Sequence, residues 1–180
     1  MLKYGHKIVR EISLTKDKTM KNIYLASVNP MYFSHLNTFL EAQRELGEMV
    51  YFCICHNPTK NTGVFSLEER VDIAHRFYAI PTEQIVILKN KDDIISAIRS
   101  SQVIVRGIRS EADMIEIRKL IEHFGVTEDF GKGLLITVPE NMKQISSSRL
   151  VEKIRNGDYK LDDNWVPPKL VQIIKDKLKI

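Results

Sequence analysis

Cations and hydroxyls recur in this sequence at one kind of place, just beyond short apolar runs. His35 opens an amphipathic stretch, and Lys60 lies in the polar segment from His56 to Gly63. Arg106 and Arg109 stand three apart directly after Val103-Ile104-Val105. Ser146, Ser147 and Ser148 open a segment of helical spacing. Imidazole, ammonium, guanidinium and a serine-headed helix start all bind anions. No carboxylate pair and no Ser-His-Asp arrangement of useful spacing accompanies them. Cations without an obvious nucleophile suit phosphoryl or nucleotidyl transfer between two phosphorylated substrates, where neutralising charge and positioning supply most of the rate. Taken singly, each residue has a blander use. His35 can cap a helix, Lys60 can be a solvated loop lysine, the arginines can form surface ion pairs, and three serines can simply cap a helix.

What gathers these residues is the order of elements. Ile23 to Ser27 is a short apolar strand, and His35 to Leu46 carries Leu36, Phe39, Leu40 and Leu46 at roughly helical spacing before Gly47. Met49 to Cys55 is an apolar run suited to a strand buried on both faces. Ser66 and Glu69 form a capping box for a helix that stops before Pro81. A strand at Ile85 to Leu88, a helix at Asp92 to Ser100 and a strand at Val103 to Val105 follow, the last running into an Arg106 to Arg109 loop. A helix from Glu111 to His123 ends near Gly125. After it come a strand at Leu134 to Val138, a helix from Ser146 to Arg155, and a last helix begun by Pro167-Pro168.

This alternation predicts a single α/β domain, a Rossmann-like doubly wound parallel sheet of about five strands flanked by helices. Residues 21–180 form that domain, and residues 1–20 form an N-terminal extension with a possible strand at Ile8 to Ile12. Ligands of such sheets bind beyond the carboxyl ends of the strands. The candidate cations and serines all fall in loops at that edge.

Composition narrows the field. A net charge of +4 over 180 residues is compatible with anionic small molecules, and no basic run interleaved with aromatics points to nucleic acid. No apolar stretch is long enough to span a bilayer. Met1 to Arg10 lacks the continuous apolar core of a secretory signal, so a cytoplasmic location is expected. Cys53 and Cys55 alternate along a strand and read as small core residues rather than a metal or redox pair.

Ser27-Val28-Asn29-Pro30 with Ser34-His35-Leu36 resembles the G-[ST]-F-D-P…[TH]-x-G-H-[LI] signature of the nucleotidyltransferase superfamily. His56-Asn57-Pro58-Thr59-Lys60 and Phe65-Ser66-Leu67-Glu68-Glu69-Arg70-Val71 resemble the N-P-S-K…F-S-L-E-E-R-V block of bacterial phosphopantetheine adenylyltransferase. Val103 to Arg109 resembles its V-I-V-R-G-L-R, Asp113 its D-F-E-Y-E, Ile145 to Ser148 its I-S-S-S, and Val166-Pro167-Pro168 its V-P-P. The likeness runs in order from about Lys21 to Leu178.

That resemblance implies transfer of adenylyl from ATP to 4′-phosphopantetheine, giving dephospho-coenzyme A and pyrophosphate with Mg²⁺. It also implies a homo-oligomer, a hexamer by family. His35 would stabilise the α-phosphate, and Ser27 would touch both phosphates. Lys60 and Arg106 would hold the acceptor phosphate, with Lys60 also countering charge and Ile94 bordering the acceptor. Arg109, Asp113, Ser146, Ser147 and Ser148 would hold ATP. The chain departs from the pattern at Ala26 for the first glycine, Asn29 for aspartate, Tyr32 for [TH] and Ser34 for glycine. Met114-Ile115-Glu116-Ile117 lacks the glutamate that follows in the family, and Leu120 to His123 replaces an M-N region. Two other readings stand beside this one: a non-catalytic nucleotide- or CoA-binding homologue, and a nucleotidyltransferase acting on another phosphate monoester such as nicotinamide mononucleotide.

Overall fold

Short apolar runs between helical segments can hide their backbone only by pairing with one another, and five of them do so. The structure, a computed structural model, describes residues 20–56, 63–127, 133–158 and 165–180. The extension up to Thr19, with its Ile8 to Ile12 segment, lies outside the described residues, as does Lys60. The strands are β1 (Asn22–Ala26), β2 (Tyr51–Cys55), β3 (Ile85–Leu88), β4 (Val103–Ile108) and β5 (Gly133–Thr137). The helices are α1 (Phe33–Leu46), α2 (Leu67–Tyr78), α3 (Lys91–Ser100), α4 (Glu111–Phe124), α5 (Ser147–Arg155) and α6 (Pro168–Leu178). All strand pairs are parallel, in the order β3-β2-β1-β4-β5, so the chain winds outward one way and then returns across β1 to wind the other. This is the Rossmann-like α/β domain expected from the alternation, with its switch point between β1 and β4.

Strand alternation sorts the core into two layers. Tyr24, Ala26, Phe52, Ile54 and Val105 face a cluster with residues of α1, α2, α5 and α6. Ile23, Leu25, Tyr51, Cys53 and Ile104 face a second cluster with α3 and residues near the end of α4. Phe52 anchors the first layer, edge-on to Phe39 at 5.2 Å and to Tyr24 at 5.3 Å between ring centres. Cys53 and Cys55 are unbridged, and burial raises both thiols. None of the described helices is long and apolar enough to cross a membrane.

Local signals set most boundaries. Ser66 Oγ accepts from Glu69 N at 3.3 Å and Glu69 Oε2 accepts from Ser66 N at 2.9 Å, the capping box read from sequence. Gly47 and Gly125 close α1 and α4 in the left-handed conformation. Helix α3 begins at Lys91 rather than Asp92, because Asn90 Oδ1 caps Asp93 N at 2.9 Å. The larger correction is β4. Arg106, Gly107 and Ile108 are strand rather than loop, since Leu135, Ile136 and Thr137 of β5 pair with them.

Gly107 has a reason to be glycine. A Cβ there would lie 2.8 Å from Thr38 Oγ1 and 3.3 Å from its Cγ2. Thr38 is buried and bonded to Ser34 O at 3.0 Å, so it has nowhere to retreat. The bare strand therefore lets α1 lie close to β4, one turn from His35. Gly107→Ala is expected to cost about 1–3 kcal/mol in urea unfolding. Introduced into a Thr38→Ala background it should cost far less. Equal losses in both backgrounds would exclude this contact as the glycine's purpose.

Candidate active site

The carboxyl ends of β1 and β4 open into a cleft of about 450 Å³. Ser27, His35, Ile94, Arg106, Arg109, Asp113, Ser146, Ser147 and Ser148 all line it. Every described residue of the sequence-derived set thus borders one cavity, although they come from five separate stretches of chain.

The loop after β1 is held from several sides. Asn29 Oδ1 accepts from Val64 N at 3.0 Å and Phe65 N at 2.9 Å, while its Nδ2 donates to Phe65 O at 3.3 Å. Ser147 Oγ donates to Pro30 O at 2.8 Å, and Tyr78 OH donates to Met31 O at 2.9 Å. Arg70 Nη1 donates to Ser27 O at 3.1 Å. These anchors hold Val28 at φ 43°, a conformation a β-branched residue rarely adopts, at a cost of about 1–3 kcal/mol.

His35 sits in the first turn of α1 and has a structural task there. Tyr32 precedes the helix with no capping side chain of its own, and its backbone N–H donates to His35 Nδ1 at 3.3 Å. A backbone N–H can only donate, so Nδ1 accepts and the proton of the neutral ring belongs on Nε2. The capping role and a donor role toward an anion are therefore compatible. The Tyr32 ring lies 4.0 Å from the imidazole, centre to centre, and is buried. Burial pushes its phenol up to about 12 against the pull of Arg109, with Asp113 adding to the rise. Tyr32 is a neutral wall at neutral pH. It narrows the cleft without filling it, and so does Ala26.

Arg109 and Asp113 form a fork across the β4–α4 turn. Arg109 Nη2 meets Asp113 Oδ1 at 2.6 Å, its Nε meets Oδ2 at 2.9 Å, and its backbone N meets the same oxygen at 2.7 Å. Nη1 donates to Ile145 O at 2.8 Å, tying the fork to the serine turn. Burial pushes the Asp113 carboxyl up, but these bonds outweigh it and hold the group below the ordinary carboxylate range. Hydrogen bonding to Asp113 raises the Arg109 pKa in turn. Arg106, on the strand, donates from Nη1 to Leu25 O at 2.9 Å. Ser146 Oγ accepts from Arg149 N at 3.2 Å and caps α5, while the exposed Ser148 makes no side-chain bond to the described residues.

Two features of the cleft escaped the sequence reading. Glu116 lines it one residue from where the family glutamate is missing. Arg70 lines it too, although a helix arginine ordinarily reads as solvated. Among the described residues no group of three His, Cys, Asp or Glu side chains is placed to hold a metal. Asp113 is already engaged by Arg109, so a metal here would depend on oxygen ligands supplied by the substrates.

Residues 23–153 match the cytidylyltransferase-like family, and the chain belongs to that family. The nucleotidyltransferase likeness of the motifs thus holds at the level of the superfamily. Among solved structures, the fold is similar to that of Plasmodium falciparum nicotinic acid mononucleotide adenylyltransferase complexed with APC. That match has a TM-score of 0.52 and 15% identity, covering 89% of this chain and 96% of the other. No curated protein sequence gives a significant match.

The fork yields a pH test. Asp113 titrates lower folded than unfolded, so its stabilisation is complete above about pH 4, the ordinary aspartate value, and is lost as pH falls through the folded value. Asp113→Asn is expected to unfold about 2 kcal/mol more easily at neutral pH. The gap from the parent should close in acid, measured by urea titration from pH 7 to pH 3. A gap that stays constant with pH would remove the carboxylate charge from the account.

Proposed function

We propose that this chain is a nucleotidyltransferase that moves adenylyl from ATP onto 4′-phosphopantetheine. One observation carries the reading. An imidazole, two guanidiniums and a serine-headed helix start, separated by more than a hundred residues, border a single cleft at the switch point of the sheet. The acceptor is supported by the character of the cleft's other wall. Ile94 and Ile98 of α3 and Ile117, Leu120 and Ile121 of α4 line it. That apolar slot suits a slender arm of methylenes and amides better than a flat charged ring.

In this reading an acceptor phosphate oxygen attacks the α-phosphorus of ATP, the bond to the β-phosphate breaks, and pyrophosphate leaves. The attacking oxygen is already anionic, so no protein base is needed. His35 donates from Nε2 to the α-phosphate as charge builds, and Ser27 lies against both phosphates. Arg106, with Lys60, holds the acceptor phosphate. Arg109, kept rigid by Asp113, orients ATP together with the turn at Ser146, Ser147 and Ser148. Mg²⁺ would arrive on the phosphates of ATP and neutralise part of their charge. Bringing two anions together in fixed orientation supplies much of the rate, because the entropy of encounter is removed beforehand.

Two features favour competing readings. The name of the structural neighbour raises nicotinic acid mononucleotide as acceptor. Ala26 and the buried Tyr32 against His35 favour binding without turnover. The test offers purified protein ATP with Mg²⁺ and each acceptor in turn, and measures pyrophosphate. Release with 4′-phosphopantetheine alone is expected. His35→Ala should lower kcat by about 10²–10³-fold. His35→Asn, which can still accept from Tyr32 N–H, serves as the control for loss of the cap. Release with the mononucleotide instead would transfer the assignment to that acceptor, and tight ATP binding without release would leave a binding protein.

A further inference from the structure

We propose that Arg70 is an additional anion-binding residue of this cleft, presenting its Nη2 edge to the acceptor phosphate from the side of β1 opposite Arg106. The inference rests on the transfer reading above.

Arg70 lies on the buried face of α2 with Ile73, Ala74 and Tyr78, and only 6% of its surface is exposed. A guanidinium has five N–H donors. Three are used on backbone carbonyls: Nε on Phe65 O at 3.0 Å, and Nη1 on Ser27 O at 3.1 Å and Cys55 O at 3.3 Å. The two on Nη2 make no bond to the described residues. Arg70 lines the cleft, and no sealed side-chain nitrogen among the described residues lacks a partner, so Nη2 is not shut away in the core.

No carboxylate pairs with Arg70 among the described residues. Carbonyl dipoles orient the cation, and Glu68 acts on it without pairing, its carboxylate accepting from Ser66 Oγ at 2.9 Å; burial without a paired counter-ion is costly. Burial accordingly depresses its pKa. Arg106 is held in the same manner, on Leu25 O. The two guanidiniums therefore grip carbonyls two residues apart at the end of β1, one reaching from β4 and the other from beside β2. Both act on the Cys55 thiol, which burial raises to about 11 against their joint pull, so their fields overlap at one point. A phosphate dianion above Ser27 would pair with both. A purely structural Arg70 needs only the three carbonyl bonds, and nothing in that role requires its second arm to face a ligand cleft.

The test compares 4′-phosphopantetheine with pantetheine, which lacks only the phosphate. Calorimetry on the unaltered chain and on Arg70→Lys measures the preference for the phosphorylated ligand. Lysine keeps the positive charge, but an ammonium held by the same carbonyls has no second arm to offer. The preference is expected to fall about ten- to a hundredfold, with pantetheine affinity unchanged and Arg106→Lys as the comparison. A crystal structure of the unaltered chain with 4′-phosphopantetheine should place a phosphate oxygen within hydrogen-bond distance of Nη2, and it needs no variant to fold. A phosphate seated away from Nη2, or an undiminished preference in Arg70→Lys, overturns the role of Arg70 while leaving the transfer reading standing. An unaltered chain that shows no preference for the phosphorylated ligand overturns the transfer reading itself.

Discussion

Parallel strands that end together leave a row of backbone carbonyls pointing out of the sheet, and at the end of β1 Leu25 and Ala26 are buried and Ser27 half-buried. Left unbonded, a buried carbonyl would cost of order 1–3 kcal/mol. Arginine answers this need in an unusual way, because one planar group can satisfy several carbonyls and still carry a charge outward. Leu25 O is met by Arg106, and Ser27, Cys55 and Phe65 by Arg70. The cations at this end of the cleft are thus placed by the bonds that close the sheet edge. Backbone satisfaction and the placing of these cations are one arrangement.

The same economy appears at His35, Ser147 and Arg109. Each side chain has one face committed to backbone, through Tyr32 N, Pro30 O and Ile145 O respectively, and each also borders the cleft. Groups fixed in this way lose little conformational freedom when a substrate arrives, which is the physical content of a preorganised site. The structural uses of these residues and the chemical uses proposed for them are therefore not rivals. A histidine that completes a helix start also has its tautomer set by doing so.

How much of this was legible in the sequence follows from range. Ser66 with Glu69, Gly47, Gly125 and Ser146 act within a few residues, and the helices they bound were readable. Arg106 to Ile108 looked like loop because a glycine between polar and apolar residues carries no strand signal. Its pairing partners are about 30 residues away on β5. The start of α1 was obscured since Tyr32 is not a capping type and the His35 ring takes that part. The rule that ligands sit beyond strand ends collected the cleft residues correctly. It missed Arg70, which lies one turn into a helix. A trace was present: position 70 falls on the stripe shared with Ile73, Ala74 and Tyr78, where an arginine is out of character.

The charge at position 29 is constrained by the loop it faces. Measured against the aspartate of related motifs Asn29 looks like a lost charge, yet its amide donates to Phe65 O at 3.3 Å while its oxygen accepts from Val64 and Phe65. Restoring aspartate would set a carboxylate oxygen against that carbonyl, two acceptors facing each other without a proton between them. Asn29→Asp therefore loses this bond and sets two acceptors against each other unless the side chain or the backbone at Phe65 turns. The amide thus clamps the loop after β1 to the segment before α2 through both of its ends.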